Sequence, residues 1–414
     1  MSTIESKSDL EYRDGSRSPT NTWTNTDVRH ARRKIDLSVL PLLFLGMTVF
    51  QLDRMNVASA LTGGFGEDIK VNQNTINLGN QLMFLGIIVL EIPSNVLLQR
   101  IGPEKWMPVQ VLAFGIIAIF QVFLKNKTGF LVIRALLGLA EAGYIPGSVY
   151  TLSTWYIGPE LAKRVAILFF GMFGGNAISP LLGAGILRLD GRHGLKGWQW
   201  IFLVEGLMTI GSAILLIVFL PRSPDRPKPV FIRRGLIAFS EQDKEVLTAR
   251  MPKNAGTRRK TLPPSLILKT LLNYRRWPHF ISTACVFSTW SPLTTYTPSI
   301  MMALGFSRIQ ANALSAVGAF MTLPLVFFFA WLSDKTARRG IVVITAISCY
   351  LIVLIVARSA LPSVGKWNQF GLWTVINAFA VGYHPIHNTW VQVNCPDAGE
   401  RSVSIAMCES FLSR

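Results

Sequence analysis

Arg134 and Glu141 stand seven residues apart inside a long apolar stretch. That interval is nearly two helical turns, so a helix there carries a guanidinium and a carboxyl on one face. Asp53, Arg54 and Asn56 put an acid, a base and an amide within one turn of another apolar stretch, near its outer end. Charged groups at membrane depth are costly unless paired or hydrated, so each one kept there is a candidate for function. The chemistry follows from the types. A guanidinium forks onto a carboxylate or sulfate and a carboxyl takes up a proton, which supplies both halves of an anion and proton symport. The bland alternative is a set of buried ion pairs with neighbouring helices, and the presence of a second cluster weighs against it.

Three further groups carry polar chemistry in apolar surroundings. In Glu91-Ile-Pro-Ser-Asn95 the acid and the amide share a face around a proline that frees backbone carbonyls, which reads equally as a gating hinge or a locally satisfied kink. Asn377, His384, His387, Asn388 and Trp390 recur at helical spacing, and a bundle interior is the place for them. Neutral histidines bonded to a neighbouring helix are the common case for such a pair. Glu205 follows Trp198-Gln-Trp-Ile-Phe202 closely enough to reach the outer interface, so its expected role is structural.

The elements that must position these residues are membrane helices. Half of the 414 residues are hydrophobic and only 15% are charged, a balance that fits a lipid-facing surface and not a soluble domain. Apolar windows fall at 38–60, 75–98, 107–124, 130–155, 165–187, 199–220, 278–300, 309–332, 341–359 and 368–392, each near the length a bilayer demands. An eleventh begins near Ser402. Residues 1–37 are polar and lack a signal-peptide core, and read as a disordered tail. Arg32, Arg33 and Lys34 before the first span, and Arg100, Lys105, Lys163, Arg164, Lys335, Arg338 and Arg339 at later ends, place those ends and the amino terminus in the cytoplasm.

The connection 221–277 holds fourteen basic residues against four acids, so it belongs on the same side, as a solvated linker. Within it Ser240-Glu-Gln-Asp243 predicts a capped surface helix. The net charge of +18 is thus a topology signal, and no aromatic-basic nucleic-acid face accompanies it. The cysteines have neither metal-ligand nor paired spacing, and no loop holds a nucleophile, base and orienting group, so an enzyme is not expected. Six spans, a basic loop and further spans form the layout of a two-bundle transporter built from repeats, 38–220 and 278–414.

On these residues the chain resembles the anion:cation symporter branch of the major facilitator superfamily, in its fungal allantoate-permease-like members. The matching strings are Asp53-Arg-Met-Asn56, Glu91-Ile-Pro-Ser-Asn95, Arg134 to Gly147, Leu152-Ser-Thr-Trp-Tyr156, Leu189-Asp-Gly191 and Gly197-Trp-Gln-Trp-Ile-Phe-Leu-Val-Glu-Gly206. The resemblance implies an all-α fold of six plus six helices that alternates access around a central cavity, working as a monomer in the plasma membrane. It needs no cofactor beyond a proton gradient, and its partners are protons, a small anion and the bilayer. In relatives the positions matching Asp53, Arg54, Arg134 and Glu141 line that cavity; substrate contacts are expected from Arg54 and Arg134 with Tyr144, His387 and Asn388, and proton coupling from Asp53 and Glu141. Gating falls to Glu91 and Asn95 and to Asp334, Arg338 and Arg339, which match the superfamily's latching turn. The equivalent turn at Gln99-Arg-Ile-Gly-Pro103 departs from that pattern.

Some relatives carry a seventh-helix arginine, whereas this chain has Ser288, Thr289, Trp290, Thr294, Thr295 and Tyr296 there, which argues for a singly clamped or compact anion over a dicarboxylate. Substrates of the lookalikes include allantoate, nicotinate, pantothenate, biotin and sulfate or sulfonates. Leu61-Thr-Gly-Gly-Phe65 and Asn77-Leu-Gly-Asn-Gln81 resemble most the alternative sulfate transporter group. An exporter, suggested by Gly175 to Gly183, and a non-transporting nutrient receptor stay open as alternatives. The second half shows four spans and the start of a fifth against six in the first, so the chain is expected to lack the eleventh and twelfth helices of the repeat.

Overall fold

A computed structural model describes residues 23–230, 237–250, 270, 272–336, 338–360 and 364–394. The expected start of an eleventh helix, and with it the expectation of a shortened second half, lies outside the described residues. Eight described helices are long and apolar enough to cross a membrane. Their outer faces leave Leu85, Val89, Ile92, Phe327, Ile344 and Leu351 more than half exposed, a surface that suits lipid and not water.

The chain enters through α1 (Asn25–Ser38), where a disordered tail was expected. Thr24 and Asp27 cap its first turn reciprocally, each side chain accepting the other's backbone N–H. Ala31, Ile35 and Ser38 recur on one face and are buried. Then come α2 (Leu40–Thr62), the short α3 (Phe65–Asp68), α4 (Gln73–Ile101) and α5 (Pro103–Phe120). The fourth expected span is not one helix but two, α6 (Lys127–Glu141) and α7 (Tyr144–Ser153). Gly143 between them has φ +78°, and a Cβ there would stand 2.9 Å from Ser94 Oγ, so both the backbone and the neighbour require glycine. The first half closes with α8 (Gly158–Ile186) and α9 (Gly197–Phe219).

The linker is less solvated than its charge suggests. It begins with an antiparallel hairpin, β1 (Pro221–Ser223) against β2 (Arg226–Pro229), and then docks α10 (Glu241–Arg250) on α1. Val246 and Leu247 are buried there, Lys34 Nζ donates to Asp243 Oδ2 at 2.6 Å, and Arg250 and Arg32 both reach Glu160. Ser240 caps α10 as its sequence predicts. Burial alone would push the Asp243 carboxyl up, but hydrogen bonds from Lys34 and Ser240 hold it below the usual carboxylate range.

Among the described residues the second half contains α11 (Trp277–Ala303), α12 (Arg308–Thr336), α13 (Arg339–Ala360), α14 (Lys366–Phe379) and α15 (His384–Val393). Its tenth expected span is broken: α14 and α15 are separated by a turn at 380–383, and Pro385 has no N–H with which to continue a helix through that point.

The halves meet through α8 on α12 and α2 on α11. At the end of the bundle far from the amino terminus they are stitched by hydrogen bonds. Asn312 Nδ2 donates to Thr62 Oγ1 at 2.6 Å, Tyr296 Oη to Asn77 Oδ1 at 2.6 Å, and Arg308 Nη1 to Asp190 Oδ2 at 3.1 Å. Nearer the amino-terminal end α8 meets α12 through an aromatic contact, Phe170 against Phe327 with centroids 5.7 Å apart.

Candidate functional site

The first half holds a cluster of charge that its sequence placed at the end of a span and its structure places deep inside. Arg54 is three-quarters buried or more and Asp53 and Asn56 have no exposed surface at all, because α2 runs on past them for two further turns to Thr62. Arg54 Nε donates to Glu141 Oε2 at 2.9 Å, joining α2 to the last residue of α6. The Arg54 guanidinium also lies over the Phe50 ring, 4.4 Å from its centroid. Glu141 Oε1 has no partner.

Arg134 is 1% exposed, yet of its donors only Nη2 is engaged, to Asn80 Oδ1 at 2.5 Å; Nε and Nη1 have no hydrogen-bond partner. Leaving two N–H-bearing nitrogens of a buried guanidinium without an acceptor costs about 1–3 kcal/mol each. Asn80, part of the Asn77 to Gln81 string, is the partner that sequence reasoning missed. The Tyr144 hydroxyl, just past the break in the helix, is likewise fully buried without a partner, its ring stacked on Phe50 with centroids 5.2 Å apart.

The Glu91 to Asn95 turn borders this cluster. Glu91 is buried within electrostatic range of Arg54, and Asn95 Nδ2 donates to the Glu91 carbonyl at 2.8 Å. Gly143 packs against Ser94 and Asn95, so the proline turn of α4 abuts the break between α6 and α7. Asp53 stands apart from the ion pair: its Oδ2 is 3.0 Å from Thr209 Oγ1 on α9. Glu205, expected at the outer interface, is instead completely buried one turn from Thr209 and within electrostatic range of Asp53. The cause is the packing of α9 against α2 and α5, which covers the Glu205 face. Its being the sole charged residue of α9 was the signal available in the sequence.

The second-half candidates sit elsewhere. His387 Nε2 is 3.1 Å from His279 Nδ1, with Thr283 and Trp390 around it, near the amino-terminal end of the bundle, and the structure does not bring it to Arg54 or Arg134. Asn388 lies on α15, its side chain outside the described residues. Asp334 and Arg338 are exposed and Arg339 half-buried at the turn from α12 to α13. Between the halves lies a cavity of about 60 Å³ whose lining includes Met55, Asn176, Trp290, Thr297 and Asn377. Its lining is mostly apolar with a few uncharged polar groups, and α2 separates it from the ionic cluster: Met55 faces the cavity while its neighbour Arg54 faces Glu141. Asn176, bonded to Gln51 Nε2 at 2.6 Å, was not foreseen as a lining residue.

This architecture has counterparts. Residues 43–412 match the family model of the Major Facilitator Superfamily, and the chain belongs to that superfamily. An uncharacterized transporter of Saccharomyces cerevisiae is 29% identical over 395 residues, covering 94% of this chain and 72% of its own. A putative tartrate transporter of Agrobacterium vitis is 29% identical over 312 residues, 74% of this chain and 68% of its own. The crystal structure of a D-xylose–proton symporter superposes with a TM-score of 0.66 at 14% identity, covering 90% of this chain and 87% of its own. The chain therefore has the major facilitator fold, that of a multi-pass membrane transporter and not of an enzyme.

Proposed function

We propose that this protein is a secondary transporter that imports a small anion together with protons. The observation that carries the reading is Arg134, a fully buried guanidinium with two idle nitrogens beside a carboxyl already tied to a second arginine. An anion entering here would accept from Arg134 and compete with Glu141 for Arg54, and a Glu141 released from its arginine in a dry site would take up a proton. That exchange links the two cargoes without further parts. Asp53 and Glu141 are the proton carriers in this scheme, and the Glu91 to Asn95 turn, leaning on the break at Gly143, is its hinge.

The substrate class is a singly charged or compact anion of the kinds carried by allantoate-permease-like symporters: nicotinate, allantoate, sulfate or a sulfonate. A relative named for tartrate raises a dicarboxylate as the competitor. The charge is concentrated in the first half, however, and the cavity between the halves is lined by uncharged groups, so one carboxylate is clamped and a second finds no base there. The basic residues at one end of the bundle favour a cytoplasmic amino terminus, and the resemblance favours the plasma membrane. The glycines that suggested an exporter have another use: Gly175 packs α8 against Gln51 and Gly183 packs it against Ser59.

The deciding experiment is uptake into proteoliposomes holding the protein, with an acid-outside gradient and labelled nicotinate, allantoate, sulfate, taurine and tartrate. Accumulation of a monoanion or sulfate that collapses with a protonophore is expected. Accumulation that ignores the gradient, or is confined to tartrate, would overturn the proposal.

A further inference from the structure

Asp53 and Glu205 are two carboxyls with no exposed surface and no cation between them. Asp53 Oδ1 and both Glu205 oxygens lack hydrogen-bond partners, and so do both polar atoms of Asn56. Gly46 against Leu216, Asp53 against Thr209 and Gly63 against Trp198 fix an antiparallel register of α2 on α9, and in that register Asn56 comes opposite Glu205. The four polar residues thus form one buried row.

The elements packed on the row supply no base to neutralise it. Glu205 is the sole charged residue of α9, and α7 has none. On α5 the charged residues are Glu104 and Lys105, on α8 Glu160, Lys163 and Arg164, all at the amino-terminal end of the bundle. On α11 the one titratable group outside its tyrosine and cysteine is His279 in the first turn, and on α12 Arg308, Asp334 and Lys335 are at its two ends. Of the interior charges, Arg54 is engaged by Glu141 and Arg134 by Asn80, and the charged group within range of Asp53 besides Glu205 is the acid Glu141. Two bare carboxylates side by side in such a place would carry an uncompensated desolvation cost and mutual repulsion. The Thr209 hydroxyl points the same way. It has one hydrogen but lies 3.0 Å from both Asp53 Oδ2 and the Glu205 carbonyl oxygen, and a protonated Asp53 donating to Thr209, which then donates to the carbonyl, satisfies all three.

We infer that Asp53 and Glu205 form a proton-sharing carboxyl pair, making Glu205 a proton-carrying group separate from the Arg54–Glu141 pair. The doubly protonated pair releases one proton and becomes a monoanion in which the remaining O–H donates across to the carboxylate, while Thr209 donates to Asp53 Oδ2. No bond other than O–H is made or broken. The use of this proton in coupling rests on the anion-and-proton reading above, but the pairing does not, so it is tested without substrate.

The full chain, purified into lipid nanodiscs, is titrated from mildly acidic to mildly alkaline pH while the infrared C=O stretch of protonated carboxyls is followed. The wild type should show a protonated band that titrates in two steps. Glu205→Gln should lose about half of that component and titrate in one step, since one member of a coupled pair is gone. Asp53→Asn should do the same, and serves as the readout if Glu205→Gln fails to fold. A band whose size and titration are unchanged in the folded variant overturns the pairing. Should uptake experiments find no anion yet the band behave as described, the pair stands and the transport reading falls.

Discussion

Glu141 is held by Arg54 through one oxygen and leaves the other idle, as the proposed exchange of partners requires. Glu141→Gln keeps the shape and removes the proton, so gradient-driven accumulation should vanish while anion exchange across the membrane persists. Accumulation at the wild-type level in that variant would remove Glu141 from the coupling. Arg134→Lys replaces a planar fork by a point charge that reaches Asn80 or an anion but not both, and substrate affinity should fall ~10-fold or more for a charged hydrogen bond worth about 1.5–3 kcal/mol. Binding measured by calorimetry or competition checks it, and unchanged affinity in both Arg134→Lys and Arg54→Lys would mean the anion is held elsewhere. These residues were legible in the sequence because charge is rare in apolar spans. Glu205 was misplaced because depth was judged by its distance from a tryptophan-rich end, whereas burial depends on which face α9 turns toward α2.

At the level of elements, the break at Gly143 lets Tyr144 turn back over Phe50 directly after Glu141 ends its helix. Gly143→Ala places a side chain in the left-handed region at about 1–2 kcal/mol and drives its Cβ toward Ser94, so melting temperature should drop by several degrees. An undiminished melting temperature would show that the break relaxes freely. The docking of α10 makes a second prediction. Asp243 titrates below its ordinary value of 3.8 in the folded protein, so its contribution is fully present above that value and is lost as pH falls through the lower, folded one. Asp243→Asn removes the same contribution at neutral pH, and limited proteolysis of the linker should quicken ~10-fold for the ~1.4 kcal/mol of docking that one charged hydrogen bond can supply. Wild-type cleavage rates would mean that Val246 and Leu247 hold the helix unaided. The cap of α10 was readable from Ser240 and Asp243, but the partners of the helix, Lys34 and Glu160, lie far away in sequence and only the tertiary fold brings them near.

For the whole molecule, the apolar windows located most helices because a bilayer constrains length and composition directly. The broken spans escaped notice because a hydropathy window averages across a turn: Gly143 and the stretch before Pro385 are as apolar as the helices they interrupt. The pairing of halves is written in the stitches at the far end, Asn312 to Thr62, Tyr296 to Asn77 and Arg308 to Asp190. Cysteines at 62 and 312 should cross-link and stop uptake until reduced, and uptake that survives the cross-link would show that this end never opens.

Those three bonds also bias a population. The buried one, Asn312 to Thr62, favours the stitched arrangement by about 1 kcal/mol net, roughly five-fold over one with that end parted, and the two exposed bonds add less. For a cargo entering from that side in the proposed transport cycle, each such bond lowers the receptive fraction and weakens the apparent affinity by the same factor. Asn312→Ala should relieve part of that tax, tightening half-saturation from the stitched side several-fold while leaving affinity from the opposite side alone, an asymmetry that right-side-out and inverted vesicles can measure.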